Sequence, residues 1–167
     1  MPCHAAPSPD SDQLERAVKA AFLYKFQLYV VWPNRAFASA TSPFNVCIVS
    51  GPPFGDLIDR VVQGQRYGEH PLVVVRAGSA VPDVQCQIMY IATQDTQITQ
   101  QALAAAVGQP ELTVTDGAED GAPKGIINFR IVDDRVRFDI DNAAAVRGGL
   151  SISSKLLGVA LSVTPGP

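Results

Sequence analysis

Two histidines, three cysteines and one Ser-Ser-Lys run are the side chains with which this sequence could do chemistry. A metal centre needs His, Cys or carboxylate ligands in a cluster. His4 stands near the start and His70 beside Pro71, and the sequence has no His-Glu-x-x-His or Cys-x-x-Cys. A serine hydrolase would have to use His70, yet no Gly-x-Ser-x-Gly elbow offers it a nucleophile. Ser153-Ser154-Lys155 could supply a serine activated by lysine, but a helix-capping serine followed by a first-turn lysine accounts for the same residues. Asp133, Asp134, Asp139 and Asp141 are spread over a turn and a strand face and read as solvated rather than paired for acid–base work. The turn Ser50-Gly51-Pro52-Pro53-Phe54-Gly55 lies where backbone N–H groups can attract an anion. Its glycines match neither phosphate-binding pattern, and its two prolines remove donors. The inventory therefore predicts no catalytic residue, no metal ligand and no cofactor. It points to a binding or regulatory domain.

Composition narrows the classes further. The chain has 167 residues, 47% apolar and 17% charged, which suits one globular domain rather than a disordered chain. Its 13 lysines and arginines are scattered over a net charge of −3, so the basic cluster of a nucleic-acid binder is missing. No run of about 18 apolar residues is present to span a membrane. The start, M-P-C-H-A-A-P-S-P-D-S-D, lacks a basic region followed by an apolar one and reads as the mature side of a signal-peptide cleavage site. We assign residues 1–11 to a disordered tail, 12–164 to the domain and 165–167 to a second tail. Of the cysteines, Cys3 falls in the tail. Cys47 and Cys86 fall at strand positions, where they are two buried thiols or a bridge that requires an oxidising compartment.

The elements that must position these residues follow from periodicity. Asp12, with Glu15 at capping-box spacing, opens a helix whose apolar positions (Leu14, Val18, Phe22, and Leu23, Phe26, Val30) cover a wide arc and which Pro33 ends. Phe44–Ser50, Pro71–Arg76, Gln87–Ala92 and Leu112–Thr115 are apolar strands. A helix with Pro53 in its first turn and Asp56 near its positive end, stopping at Gly64, and an alanine-rich helix over Gln97–Val107, anchored by Leu103 and Val107, join them. Asp116–Lys124 is a flexible acidic loop. Ile127, Phe129 and Ile131, then Val136, Phe138 and Ile140, alternate with polar residues about Asp133-Asp134, which makes a hairpin. Asp141 or Asn142 caps a helix over Ala143–Arg147, and Ser153 caps a last helix over Lys155–Val163. The expected fold is a single-domain three-layer α/β sandwich. It has a largely parallel central sheet, helices on both faces and a C-terminal antiparallel hairpin.

Five stretches, in order, resemble the YfiR-like periplasmic proteins: A-F-L-Y-K-F with V-W-P (21–33), F-N-V-C-I-V with P-F-G-D (44–56), C-Q-I-M-Y-I (86–91), L-T-V-T-D (112–116), and G-I-I-N-F through S-I-S-S-K-L-L (125–157). The resemblance implies a secreted α/β regulator that forms a homodimer. Such a regulator represses a membrane diguanylate cyclase of the YfiN type by binding its periplasmic sensor domain, which lowers cyclic-di-GMP and restrains biofilm formation. It also implies an outer-membrane lipoprotein as a second partner, and a disulfide between Cys47 and Cys86. A second cysteine pair that the family carries in the region of 116–125 is missing here. The densest match, Gly125–Leu157, contains no catalytic group. It supplies the expected partner-binding residues Asn128, Phe129, Arg137, Phe138, Asn142, Arg147 and Lys155, with core packing as the competing role for the two phenylalanines. An exposed apolar patch is expected there. The alternative is a small-molecule receptor whose cleft lies near Trp32, Arg35 and Phe54.

Overall fold

The computed structural model describes residues 9–51 and 54–166. Cys3, His4 and the Pro52-Pro53 pair of the expected anion turn lie outside the described residues, as does most of the 1–11 tail. Helix α1 (Pro9–Tyr29) is already formed at Asp12, so Asp12 lies inside the helix instead of capping it. Ala20, Leu23 and Phe26 are fully buried on its inner arc. The helix stops at Tyr29, short of Pro33, because β1 (Val30–Val31) leaves it to pair antiparallel with Ser151 and Ile152.

The chain then follows the expected alternation: β2 (Phe44–Val49), α2 (Leu57–Val62), β3 (Arg66–Tyr67), β4 (His70–Gly78), β5 (Ile88–Ile91), α3 (Thr96–Ala106) and β6 (Leu112–Asp116). The hairpin is β7 (Ile127–Val132) and β8 (Arg135–Asp141), followed by α4 (Asn142–Arg147), β9 (Ser151–Ile152), α5 (Ser154–Val159) and β10 (Ser162–Thr164). Eight strands form one sheet in the order β10-β8-β7-β6-β5-β2-β4-β3, while β1 and β9 make a separate two-stranded pair. Pairing is parallel from β4 through β2, β5 and β6 to β7, and again between β8 and β10. It is antiparallel in β3–β4 and β7–β8. The mixed α/β sheet with a C-terminal hairpin is thus the predicted fold class.

Alternation along the central strands separates two cores. Val46, Ile48, Ile88, Tyr90, Leu112 and Val114 join the larger one with Leu23 and Phe26 of α1 and Ile58 and Val62 of α2. Cys47, Val49, Met89 and Ile91 face the other way and pack with Ala102 and Ala106 of α3. Helices therefore lie on both faces of the sheet.

Local signals explain most boundaries. Asp133 and Asp134 adopt φ of 52° and 61°, the left-handed pair that a two-residue hairpin turn demands. The Asp95 carboxylate caps α3, accepting from Gln97 N at 3.0 Å and Ile98 N at 3.3 Å. Asp141 accepts from Ala144 N and Ser153 from Lys155 N, as their positions predicted. Three further expectations are corrected. Val107 lies beyond the end of α3 and is 77% exposed, so it anchors nothing. Cys86 precedes β5 instead of lying on it. The last helix ends at Val159, and Ser162–Thr164 forms a strand, because the free edge of β8 offers backbone partners: Leu161 N donates to Phe138 O at 2.7 Å. Gly158 and the β-branched Val159 and Val163 favour that change.

Candidate functional site

The hairpin puts its two faces to different uses. Ile127, Phe129, Phe138 and Ile140 point to α1 and are buried. Phe129 and Phe138 are cross-strand partners, and their rings meet those of Phe22 and Phe26 at centroid distances of 5.4–6.2 Å. Both phenylalanines are therefore core residues, out of a partner's reach. Asn128 is also buried, at 2% exposure. Its Oδ1 accepts from Thr115 Oγ1 at 2.8 Å and Ala118 N at 3.0 Å, and its Nδ2 donates to Ala118 O at 3.1 Å. Asn128 thus ties the acidic loop to the sheet. Gly125 N and Ile126 N, which donate to Thr115 and Thr113 hydroxyls, fasten the far end of that loop.

The outward face of β7 and β8 carries Arg130, Arg135, Arg137 and Asp139. Arg130 stands directly opposite Arg137, and like charges facing each other across a ladder destabilise it. Arg130 leans diagonally to Asp139 at 3.6 Å, and Ser162 Oγ donates to the same carboxylate at 2.6 Å. Arg130 and Arg135 are exposed and Arg137 is half-buried. The exposed side of the platform is therefore arginine-bearing and polar, not the apolar patch anticipated. The exposed apolar residues Ile131, Val146, Val159 and Val163 belong to the hairpin's other face, to α4, to α5 and to β10. Of the other expected contacts, Asn142 is half-buried at the start of α4, whereas Arg147 and Lys155 are exposed on α4 and α5. Arg130 and Arg135 escaped the sequence reading, although both fall on the polar positions of the same alternation as Arg137.

A second polar cluster lies at the carboxyl ends of the parallel strands. Lys19, on the inner arc of α1 and 8% exposed, donates to Glu15 Oε1 at 2.8 Å and to both Asp116 oxygens at 3.0 Å. The Tyr90 hydroxyl also donates to Asp116. Burial opposes the charge on Lys19, but its bonds to Glu15 and Asp116 outweigh that and hold its pKa above the usual lysine value. Burial, reinforced by the negative charge of Asp116, pushes the Tyr90 phenol far above its ordinary range. A shallow hollow of about 340 Å³ opens over this cluster, lined by Arg16 and Phe54 among others. The signal was visible in the sequence: Lys19 falls on the same helical stripe as Phe22, Leu23 and Phe26.

The receptor cleft is not assembled. Trp32 is buried and its Nε1 donates to Gln87 O at 3.0 Å, with its ring 4.8 Å from that of Phe44 at the start of β2. Phe54 is buried against Tyr90, which pairs with Ile48 towards the other end of β2. Phe44 and Ile48 stand four residues, about 13 Å, apart along β2, so the two aromatics pack at different ends of the strand. Arg35 is exposed and donates to Gly148 O at 2.8 Å. Cys47 and Cys86 form a disulfide, with Cα atoms 5.9 Å apart, linking β2 to the segment that enters β5. Among the described residues no group of His, Cys, Asp and Glu could hold a metal ion, and no helix is long and apolar enough to cross a membrane.

A family model described as YfiR/HmsC-like matches residues 16–161, from α1 to the residue before β10. No curated protein matches the chain.

Proposed function

The chain belongs to the YfiR/HmsC-like family, and from that premise we propose that it is a periplasmic regulatory protein and not an enzyme. It binds the periplasmic sensor domain of a membrane diguanylate cyclase and represses cyclic-di-GMP synthesis, which restrains biofilm formation. The observation that carries the contact surface is the outward hairpin face, where Arg130 and Arg137 face each other across the ladder despite their repulsion. Asp139 offsets the charge of Arg130 at 3.6 Å, while no ion pair among the described residues offsets that of Arg137, and residues that break a local rule without a folding benefit mark functional surfaces. An acidic partner surface would relieve that repulsion and gain bidentate arginine contacts. The Cys47–Cys86 disulfide agrees with an oxidising compartment. A homodimer and an outer-membrane lipoprotein complete the proposed set of partners.

Calorimetric titration of the protein against the purified periplasmic domain of its organism's membrane cyclase tests the reading. Binding is expected, weakening as salt rises, and reversing both charges with R130E and R137E is expected to abolish it. Absence of binding, or binding indifferent to that double reversal, overturns the assignment of this face.

A further inference from the structure

Glu111, between α3 and β6, is a half-buried carboxylate that the regulatory reading does not use. It stands where two concavities meet. One, of about 170 Å³, is lined by Lys124, Asp141 and Arg147 besides Glu111. The other is a groove of about 440 Å³ between the segment before β5 and the flank of α3 that carries Ala102 and Ala105. Val81 and Val84 form the rim of that groove at 44% and 42% exposure, while Cys86, Met89 and Ala102 form a buried floor. Among the described residues Glu111 is the only charged one that lines it, beside the uncharged polar Gln85 and Gln109. Its volume lies within the range of small-ligand sites.

The charges around Glu111 do not neutralise it. Lys124 is paired with Asp120 at 3.2 Å, and Asp141 is occupied in capping α4. Arg147 lines the neighbouring concavity without an ion pair to Glu111. Burial alone raises the Glu111 carboxyl to about 7, with no cation or donor offsetting it. A carboxylate in a groove rimmed by Val81 and Val84, with no ion pair to a cation among the described residues, is complementary to a positive charge carried on a short hydrocarbon.

We propose that this groove is a binding site for a small amphipathic cation, an alkylammonium, with its ammonium on Glu111 and its chain over Cys86, Met89 and Ala102 between Val81 and Val84. The site is distinct from the arginine face of the hairpin and does not depend on the partner assigned to it.

The test uses n-hexylammonium as probe, n-hexanol as its neutral counterpart, and titration followed by amide chemical shifts and calorimetry. Hexylammonium should bind at least about tenfold more tightly than hexanol, as expected for a hydrogen-bonded charge pair. Each methylene between butyl and hexyl should tighten binding about fourfold. Affinity should fall about tenfold from pH 8 to pH 6 as Glu111 takes up its proton. E111Q should bind the two probes equally while keeping its fold, verified by an unchanged far-ultraviolet spectrum. Ala105→Leu, which fills the groove without touching the charge, should weaken both probes. Equal affinity of the wild-type protein for amine and alcohol, an undiminished response in E111Q, or no binding at millimolar amine each overturns the proposal.

Discussion

Replacing Glu111 with glutamine should stabilise the protein, and only at neutral and alkaline pH. The Glu111 carboxyl titrates near its ordinary value of 4.5 when unfolded and at about 7 when folded, raised by burial. Between those values the folded state binds more protons than the unfolded one, so stability falls as pH rises through the window. The glutamate's contribution is complete below 4.5 and lost above 7. At about 1.36 kcal/mol per pH unit the whole interval is worth about 3 kcal/mol, an upper figure because the groove admits some water. Glutamine keeps the shape and a hydrogen-bonding amide but cannot ionise. Urea unfolding of both proteins at pH 4.5 and pH 8 supplies the comparison, and differences between the two curves cancel every other titrating group. The expected result is near-equal stability at pH 4.5 and a variant more stable by up to about 3 kcal/mol at pH 8. The midpoint should shift by about 1 M urea or more at an unchanged slope. Stability curves that run parallel from pH 4.5 to 8 would refute the reasoning, because they would mean that burial does not destabilise the carboxylate.

Other perturbations read different parts of the fold. Lys19→Met should cost about 2–3 kcal/mol at pH 7 by urea unfolding, since Asp116 and Glu15 lose their shared cation but keep partial solvent access. Because the pKa values of Lys19 and Tyr90 are both raised, the wild type should hold their contribution below pH 10 and lose it above, and K19M should show a shallower alkaline decline. Serine at both Cys47 and Cys86 should lower stability by about 4 kcal/mol in the chain-entropy model for a separation of 39 residues, matching the effect of reductant on the wild type. Phe129→Ala should cost about 3–5 kcal/mol through cavity formation beside Phe22, Phe26 and Phe138, whereas Arg137→Ala should be neutral or stabilising by up to about 0.5 kcal/mol because it removes the repulsion with Arg130, both by thermal or urea unfolding.

The sequence made the architecture legible wherever the signal was local. The Asp133-Asp134 turn with period-2 runs on either side defined the hairpin. Continuous apolar runs such as Phe44–Val49 and Ile88–Ile91 identified the buried parallel strands. Reading failed where a distant partner decides. Val30 and Val31 continue the apolar pattern of α1 but leave it to pair with β9, and Ser162–Thr164 looks helical until the edge of β8 claims it. Arg66–Tyr67 is too short to show any period. The candidate site divided in the same way. Alternation could rank Phe129 and Phe138 as inward, yet only the fold revealed that α1 covers that side and leaves the arginines uncovered. Lys19 is marked by its place on the apolar stripe of α1, but Tyr90 and Asp116 come from two other elements and no motif joins the three.

The pairing of Val30 with Ile152 and of β10 with β8 also dictates the order in which the molecule can be completed. Both ladders depend on residues after Leu150, so a chain emerging from its amino end holds the end of α1 and the outer edge of β8 open until nearly all of it is present. Contacts between such distant segments close late and slowly, and an unpaired strand edge is the surface through which immature chains join one another. Loss of Ser151–Thr164 should therefore be felt less as a missing surface than as a lengthened period in which the hairpin edge invites aggregation, and a holding chaperone would have its greatest effect there.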